Sequence, residues 1–179
     1  MSFFEPLPPW QPPTDYRAPA WARGPEDMVP GVVPVAVVVA HTDTHAVLID
    51  NLLVCPTGFD FDLAVRRHPR QPHHHEHRWG DELRLEVRFA DGRRADNDPR
   101  RWPRASGDQP PDPPWLYQST GGSDGGHVWL WGLPPPGPLT FTCVWPSQQI
   151  PPSQAVVDAA LLLAAAARAT TLWSDQATS

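Results

Sequence analysis

The fold of this chain is decided by the stretch Trp129-Leu130-Trp131-Gly132-Leu133-Pro134-Pro135-Pro136-Gly137-Pro138-Leu139-Thr140-Phe141-Thr142-Cys143-Val144-Trp145. From Leu139 to Trp145 every second side chain is large and apolar or a cysteine, and smaller residues stand between them. Such period-2 alternation is the signature of a half-buried β-strand. The stretch predicts two apolar strands joined by a stiff proline- and glycine-rich turn and paired as a hairpin.

The same alternation recurs at 59–66 and, most clearly, at 83–89. Further strands are predicted at the apolar runs 35–40 and 46–55 and at the short segment 115–119. Turn residues separate these segments, including Asp91-Gly92, which supplies the positive φ that tight hairpin turns need. Seven to nine short strands predict a mainly β fold: an antiparallel β-sandwich, either immunoglobulin-like or jelly-roll-like.

One helix is predicted near the C-terminus, over about residues 158–170, with Asp158 as its N-terminal cap. A short strand at 155–157 precedes it, and the alternative is one longer helix that starts at Ser153. Prolines cluster in the first residues, where they favour an extended polyproline II conformation. The predicted organisation is a Pro-rich N-terminal arm at 1–31, a single β-sandwich domain at 32–173, and a frayed tail at 174–179.

The formal net charge of the 179 residues is −6, and all 14 basic residues are arginine. This acidic balance argues against a nucleic-acid partner, which needs a basic face. Neither a secretory leader nor an apolar run long enough to span a bilayer is visible, so we expect a cytoplasmic protein without a membrane partner. Cys55 and Cys143 fall on predicted strands, which favours two buried thiols; the alternative is a cross-sheet disulfide.

Several short segments together resemble a group of uncharacterised actinobacterial Pro-rich β-sandwich proteins of unknown function. The segments are Gly-Val-Val-Pro at 31–34, Pro-Thr-Gly-Phe at 56–59, Phe-Ala-Asp-Gly at 89–92, Leu-Pro-Pro-Pro-Gly-Pro-Leu at 133–139 and Ala-Ala-Ala-Arg at 165–168. The resemblance spans roughly residues 29–173. It implies one compact domain of intracellular bacterial origin, and it implies no activity and no functional residue.

Two histidine clusters are candidate metal sites. The first is a contiguous tract in a predicted loop, in which Glu76 stands among His73, His74, His75 and His77. Neutral imidazoles suit Zn²⁺ or Ni²⁺, although a contiguous tract gives no preorganised geometry, and adventitious or no binding is the alternative.

The second cluster is His41, Asp43 and His45, whose i, i+2, i+4 spacing would place two imidazoles and a carboxylate on one face of a strand. The alternative is a polar turn that joins the strands on either side of it.

The chain contains nine tryptophans, a residue type enriched at binding surfaces. An interaction surface is predicted at Trp10, Trp21, Trp102 and Trp115, and the alternative is that most tryptophans belong to the core or anchor loops. No Gly-x-Ser-x-Gly elbow and no Cys-x-x-Cys pair occurs, so no catalytic or cofactor-binding residue is assigned.

These observations predict a non-enzymatic protein-interaction or structural module of the bacterial cytoplasm, acting through a protein partner or by self-association. Two alternatives stay open: a metal-binding protein or metalloenzyme that uses one of the histidine clusters, and a carbohydrate-binding β-sandwich with stacked tryptophans.

Overall fold

The computed structural model describes residues 19, 21–70, 83–98, 110–122 and 125–173. Strands and one helix make up most of this part of the chain. In order they are β1 (Met28–Val29), β2 (Gly31–Val33), β3 (Val37–His41), β4 (His45–Cys55), β5 (Gly58–Arg67), β6 (Arg84–Arg88), β7 (Arg94–Asp96), β8 (Trp115–Gly122), β9 (Gly125–Trp131), β10 (Pro138–Trp145), β11 (Ile150–Asp158), α1 (Ala159–Ala166) and β12 (Thr170–Thr171).

The larger sheet has the strand order β2-β4-β5-β9-β8, and β3 also pairs with β4. Its neighbours run antiparallel. A β-bulge interrupts β4 between Asp50 and Leu53, where Asn51 adopts a left-handed φ of 51°. The extra residue keeps Ile49, Leu52 and Val54 all directed into the core, where each is fully buried.

The smaller sheet has the order β11-β10-β6-β7 and is also antiparallel. It packs on the larger sheet, and the rings of Phe61 and Phe141 meet edge to face across the interface at 5.5 Å. Strand β11 lies beside β3 at one open side of this sandwich, and β7 lies beside β8 at the other. The core between the sheets contains apolar side chains from both.

The alternation in the sequence predicted these buried faces correctly. In β10, Leu139, Phe141 and Cys143 are fully buried and Trp145 is 2% exposed. In the β6–β7 hairpin, Gly92 has the positive φ of 88° that the Asp-Gly pair predicted.

The predicted hairpin between the two halves of 129–145 is wrong. Strand β9 pairs with β5 and β8 in the larger sheet, whereas β10 pairs with β6 and β11 in the smaller one. The turn between them contains three consecutive prolines and two glycines with positive φ, Gly132 and Gly137. Proline fixes φ and offers no amide proton, so the turn cannot extend a ladder, and it carries the chain from one sheet to the other.

The helix α1 begins where predicted, because the Asp158 carboxylate accepts a 2.9 Å hydrogen bond from the amide of Ala160. It ends at Ala166, four residues earlier than predicted, and a longer helix from Ser153 is excluded because 150–158 is strand β11. Thr170 and Thr171, which are β-branched, lie beyond the end of the helix and pair with β1 as strand β12.

The prediction of a mainly β, antiparallel fold with a C-terminal helix is therefore confirmed in outline, and the architecture is sandwich-like. The immunoglobulin-like or jelly-roll type stays a prediction. No helix among the described residues combines the length and the apolar character needed to cross a membrane.

Candidate functional site

The outer face of the larger sheet, pointing away from the smaller sheet, carries most of the chemistry of the described residues. Strand register places its side chains in rows across the sheet. One row contains Asp50, Asp62 and His127, and the next contains Leu53, Asp60, Trp129 and Tyr117. Directly opposite residues in antiparallel strands project to the same side, so each row forms a contiguous strip.

The imidazole of His127 lies between two carboxylates of the neighbouring strand. Its Nδ1 is 2.9 Å from Asp62 Oδ1, and its Nε2 is 3.0 Å from Asp60 Oδ1. Only the protonated imidazole donates from both nitrogens at once. Asn51, at the β-bulge, completes the group by donating a 2.7 Å hydrogen bond from Nδ2 to Asp62 Oδ2. We call Asn51, Asp60, Asp62 and His127 the carboxylate cluster.

Charge and burial compete within the carboxylate cluster. Burial by itself would lower the pKa of His127, but the hydrogen bond to Asp62 and the charges of Asp60 and Asp62 outweigh it and raise that pKa above its usual value. Burial raises the pKa of Asp60, although contact with His127 opposes this effect. The geometry favours the ion pair, because each ring nitrogen of His127 faces a carboxylate oxygen.

Four aromatic side chains form a block at one end of the outer face. Trp115 lies opposite Trp131, and Tyr117 lies opposite Trp129, on the paired strands β8 and β9. We call these four residues the aromatic face. Trp129 is only 2% exposed, Tyr117 is 39% exposed, and the other two are half-buried.

A segment of chain ahead of β1 covers Trp129. The indole Nε1 of Trp129 donates a 3.1 Å hydrogen bond to the backbone carbonyl of Trp21. A side chain at Gly24 would meet the Trp129 ring at 3.3 Å and Asp60 Oδ2 at 3.2 Å, so glycine permits close approach there. At Gly58, a Cβ would lie 2.9 Å from the same ring, so the indole rests on the backbone of β5.

His41, Asp43 and His45 do not share one strand. His41 ends β3, Asp43 lies in the connecting turn, and His45 begins β4. The amides of Thr44 and His45 donate to Thr42 Oγ1, which makes the segment the polar turn foreseen as the alternative. Among the described residues, no group of three or more His, Cys, Asp or Glu side chains is arranged to hold a metal ion. Metal binding by His41, Asp43 and His45 stays a prediction from the sequence.

Some predicted site residues lie outside the described part of the chain: His73, His74, His75, His77, Trp10 and Trp102. The other two predicted surface tryptophans both lie at the aromatic face. Trp21 caps it through its carbonyl, and Trp115 is one of its members.

The two cysteines are buried and are not bridged to each other. Burial raises the pKa of Cys143 to about 11. The pKa of Cys55 is raised by burial and by the charges of Asp60 and Asp27. A nucleophilic cysteine needs the opposite shift, towards the thiolate.

Sequence reasoning missed His127 as a member of this site. Alternation in the segment 59–66 places Asp60 and Asp62 on one face of a strand, but a single sequence does not tell which strand pairs with it. The only available signal was a lone histidine in the alternating segment 127–131, two residues before Trp129.

The chain matches no protein-family model, no curated protein and no solved structure.

Proposed function

We propose that this protein is a non-enzymatic protein-interaction module that binds a proline-rich, extended segment of a partner protein on its aromatic face. One observation carries the proposal: the hydrogen bond from the Trp129 indole to the Trp21 carbonyl. Trp21 follows Pro19 by two residues, at the end of the proline-rich N-terminal segment. The aromatic face therefore already binds a peptide segment through its backbone carbonyl.

The chemistry of the aromatic face suits such a partner. Polyproline II segments have carbonyl groups that are not used in internal hydrogen bonds, and they dock into aromatic-lined grooves. Tryptophan and tyrosine offer large, rigid contact areas and lose little conformational entropy on binding. Trp115, Tyr117 and Trp131 are partly exposed beside the covered Trp129.

The ionisable groups of the outer face favour a binding role over catalysis. A histidine that acts as a general base needs one ring nitrogen directed at the group it deprotonates. Both ring nitrogens of His127 are directed at carboxylates instead. The buried thiols with raised pKa values also favour a non-enzymatic role.

The test is a titration of the ¹⁵N-labelled protein with a proline-rich peptide, followed by NMR. The probe is a synthetic peptide with the sequence of residues 1–18, and the control peptide has alanine at every proline. We expect saturable shifts of the Trp115 and Trp131 indole signals with the first peptide only. Tyr117→Ala should weaken binding about tenfold, because it removes an aromatic contact. Val38→Ala, at an exposed residue of β3, should have no effect.

Absence of saturable binding would contradict the proposal. The peptide could also bind a chain that starts at Pro19 but not the full chain. That result would mean that the protein's own arm occupies the aromatic face, and it would contradict a partner protein as the natural occupant.

A second candidate is carbohydrate binding, favoured by the position of the carboxylate cluster beside the aromatic face. Sugar rings stack on aromatic side chains while their hydroxyl groups bond to carboxylates and amides, and Asp60, Asp62 and Asn51 supply these groups. A panel of soluble oligosaccharides tests it in the same NMR experiment. Shifts of the same indole signals with a sugar but not with the peptide would favour this candidate.

A further inference from the structure

A basic cleft lies at the opposite end of the larger sheet from the aromatic face. Its volume is about 450 Å³, and its lining includes His41, His45, Ala46, Arg66, Arg67 and His68. This volume falls within the range of about 300–1,000 Å³ usual for small-molecule sites. The cleft has no role in the function proposed above.

The shape of the basic cleft follows from strand register. Ala46 of β4 pairs with His41 of β3 on one side and with Arg66 of β5 on the other. The three side chains therefore project to the same side of the sheet. A methyl group between two long side chains leaves a trough, with Ala46 as its floor and His41 and Arg66 as its walls.

Local hydrogen bonds close the end of the trough. Thr42 Oγ1 accepts from the amides of Thr44 and His45. The amide of His68 donates a 2.8 Å hydrogen bond to the carbonyl of Thr44, which ties the end of β5 to the turn. The cleft is thus bordered by backbone that is held in place.

The donors in the cleft suit an anion. The Arg66 side chain is 61% exposed and lies 4.0 Å from Asp50, beyond hydrogen-bond length. One of its terminal nitrogens donates a 3.4 Å hydrogen bond to the carbonyl of Val65. His68 Nδ1 accepts a 3.2 Å hydrogen bond from the amide of Arg70, so a neutral His68 carries its proton on Nε2 as a donor. The side of the cleft that faces Ala46 carries His41 and Arg66, and the lining has a single carboxylate, Asp43. His45 and Arg67 also border the cleft, but they pair with each other on the other face of the sheet, where the His45 ring contacts Trp145.

We infer that the basic cleft binds a small molecule through a phosphate group. A guanidinium matches the geometry and charge of phosphate oxygens, so Arg66 can donate to two oxygens of one phosphate at once. Neutral imidazole N–H groups add further donors. The inference is independent of the peptide site, because the two lie at opposite ends of the sheet.

The experiment is isothermal titration calorimetry on the full, untagged chain in phosphate-free buffer. The probes are inorganic phosphate, pyrophosphate and phosphoserine, and citrate is the carboxylate comparison. Arg66→Gln should weaken phosphate binding about tenfold or more, because it removes a charge-assisted hydrogen bond. Ala46→Leu fills the floor without changing any charge, and it should abolish binding.

Two further variants make the assignment specific. Asp43→Asn removes the one carboxylate of the lining, and it should tighten binding by about two- to fivefold. Arg88→Gln, an exposed arginine on β6 in the other sheet, removes the same charge as Arg66→Gln and should leave affinity unchanged. Unchanged urea unfolding curves would show that each variant is folded.

Three results would overturn the inference. One is the absence of saturable binding of every phosphate probe to the wild-type chain. Another is an equal loss of affinity in Arg66→Gln and Arg88→Gln, which would mean that only overall charge matters. The third is binding of citrate without binding of any phosphate probe.

Discussion

At the scale of single residues, the position of His127 has the clearest physical consequence. Its imidazole bridges two carboxylates, yet its side chain is 41% exposed. Water therefore screens the ion pairs, and we expect the carboxylate cluster to contribute no more than about 1 kcal/mol. The contribution is still measurable, because it depends on pH.

The first prediction concerns the pH dependence of stability. The folded protein raises the pKa of His127 above its usual value of 6.5. The stabilisation is therefore complete below that value, and it is lost as pH rises through the folded pKa. The folded pKa of Asp60 is also raised, above 3.8, so this carboxyl too favours folding when protonated, in a lower pH window. Urea unfolding from pH 5 to pH 9 measures the effect.

His127→Gln should flatten the pH dependence above pH 6, whereas Val38→Ala, at an exposed residue of the same sheet, should leave it unchanged. A wild-type free energy of unfolding that increases between pH 6 and pH 9, with the increase lost in His127→Gln, would contradict the assigned direction.

The second prediction also belongs to single residues, and it concerns Cys55. This thiol is 3% exposed and lies near Asp60 and Asp27, close to the segment that covers Trp129. Gly24→Val should lift that segment, because a side chain there meets both Asp60 and the Trp129 ring. Labelling of Cys55 by a thiol reagent should become about tenfold faster.

Cys143 serves as the internal control for this labelling. It is fully buried between the sheets, so Gly24→Val should not change its rate. Peptide mapping by mass spectrometry separates the two sites, and equal acceleration at both would instead mean that the variant unfolds globally.

At the scale of secondary-structure elements, the packing of α1 on the larger sheet depends on one glycine. A Cβ at Gly31 of β2 would overlap the backbone carbonyl of Ala165 in α1. The helix buries Ala159, Leu162 and Ala165, which are its contribution to the core. Close approach of helix and strand is therefore possible only without a side chain at position 31.

The third prediction follows from this contact. Gly31→Ala should reduce the free energy of unfolding by about 1–3 kcal/mol, because the backbone of α1 must shift away from β2. Val32→Ala, at the next residue of β2 and 55% exposed, should change it by no more than about 0.5 kcal/mol. Urea unfolding measures both, and equal effects would show that the helix packing does not depend on Gly31.

At the scale of the whole molecule, a shared apolar core joins the two sheets. Phe61 of β5 and Phe141 of β10 meet at its centre with an interplanar angle of 76°. Both side chains are fully buried. Edge-to-face pairs of this kind contribute about 0.5–1.5 kcal/mol beyond the burial of their area.

The fourth prediction is a double-mutant cycle on this pair. Phe61→Leu and Phe141→Leu should each cost about 1–2 kcal/mol of unfolding free energy while leaving the chain folded. The double variant should cost less than the sum of the two by about 0.5–1.5 kcal/mol, because the ring contact is lost only once. Additive costs in urea unfolding would mean that the contact adds nothing beyond burial.

The distribution of chemistry over the larger sheet also belongs to the whole molecule. The aromatic face and the basic cleft stand at opposite ends of the outer face, and the carboxylate cluster lies between them. The aromatic face and the basic cleft draw their members from strands that follow one another in the chain, whereas the carboxylate cluster also joins strands that are far apart in the sequence. His127 and Asp60, for example, are 67 positions apart.

The sequence alone determined the local properties of this protein. Alternation predicted the buried faces of β6 and β10, the Asp-Gly pair predicted the turn at Gly92, and Asp158 predicted the start of α1. Each of these features depends on residues that are close together in the sequence, so one sequence is enough to predict it.

Only the tertiary structure decided how these strands are partnered. It separated β9 from β10 into different sheets, brought His127 between two aspartates, and placed Ala46 between His41 and Arg66. Side-chain alternation specifies which face of a strand is buried, but it carries no information on which strand lies beside it. That choice is made by packing of the two sheets over the whole core, and the candidate sites exist only once it has been made.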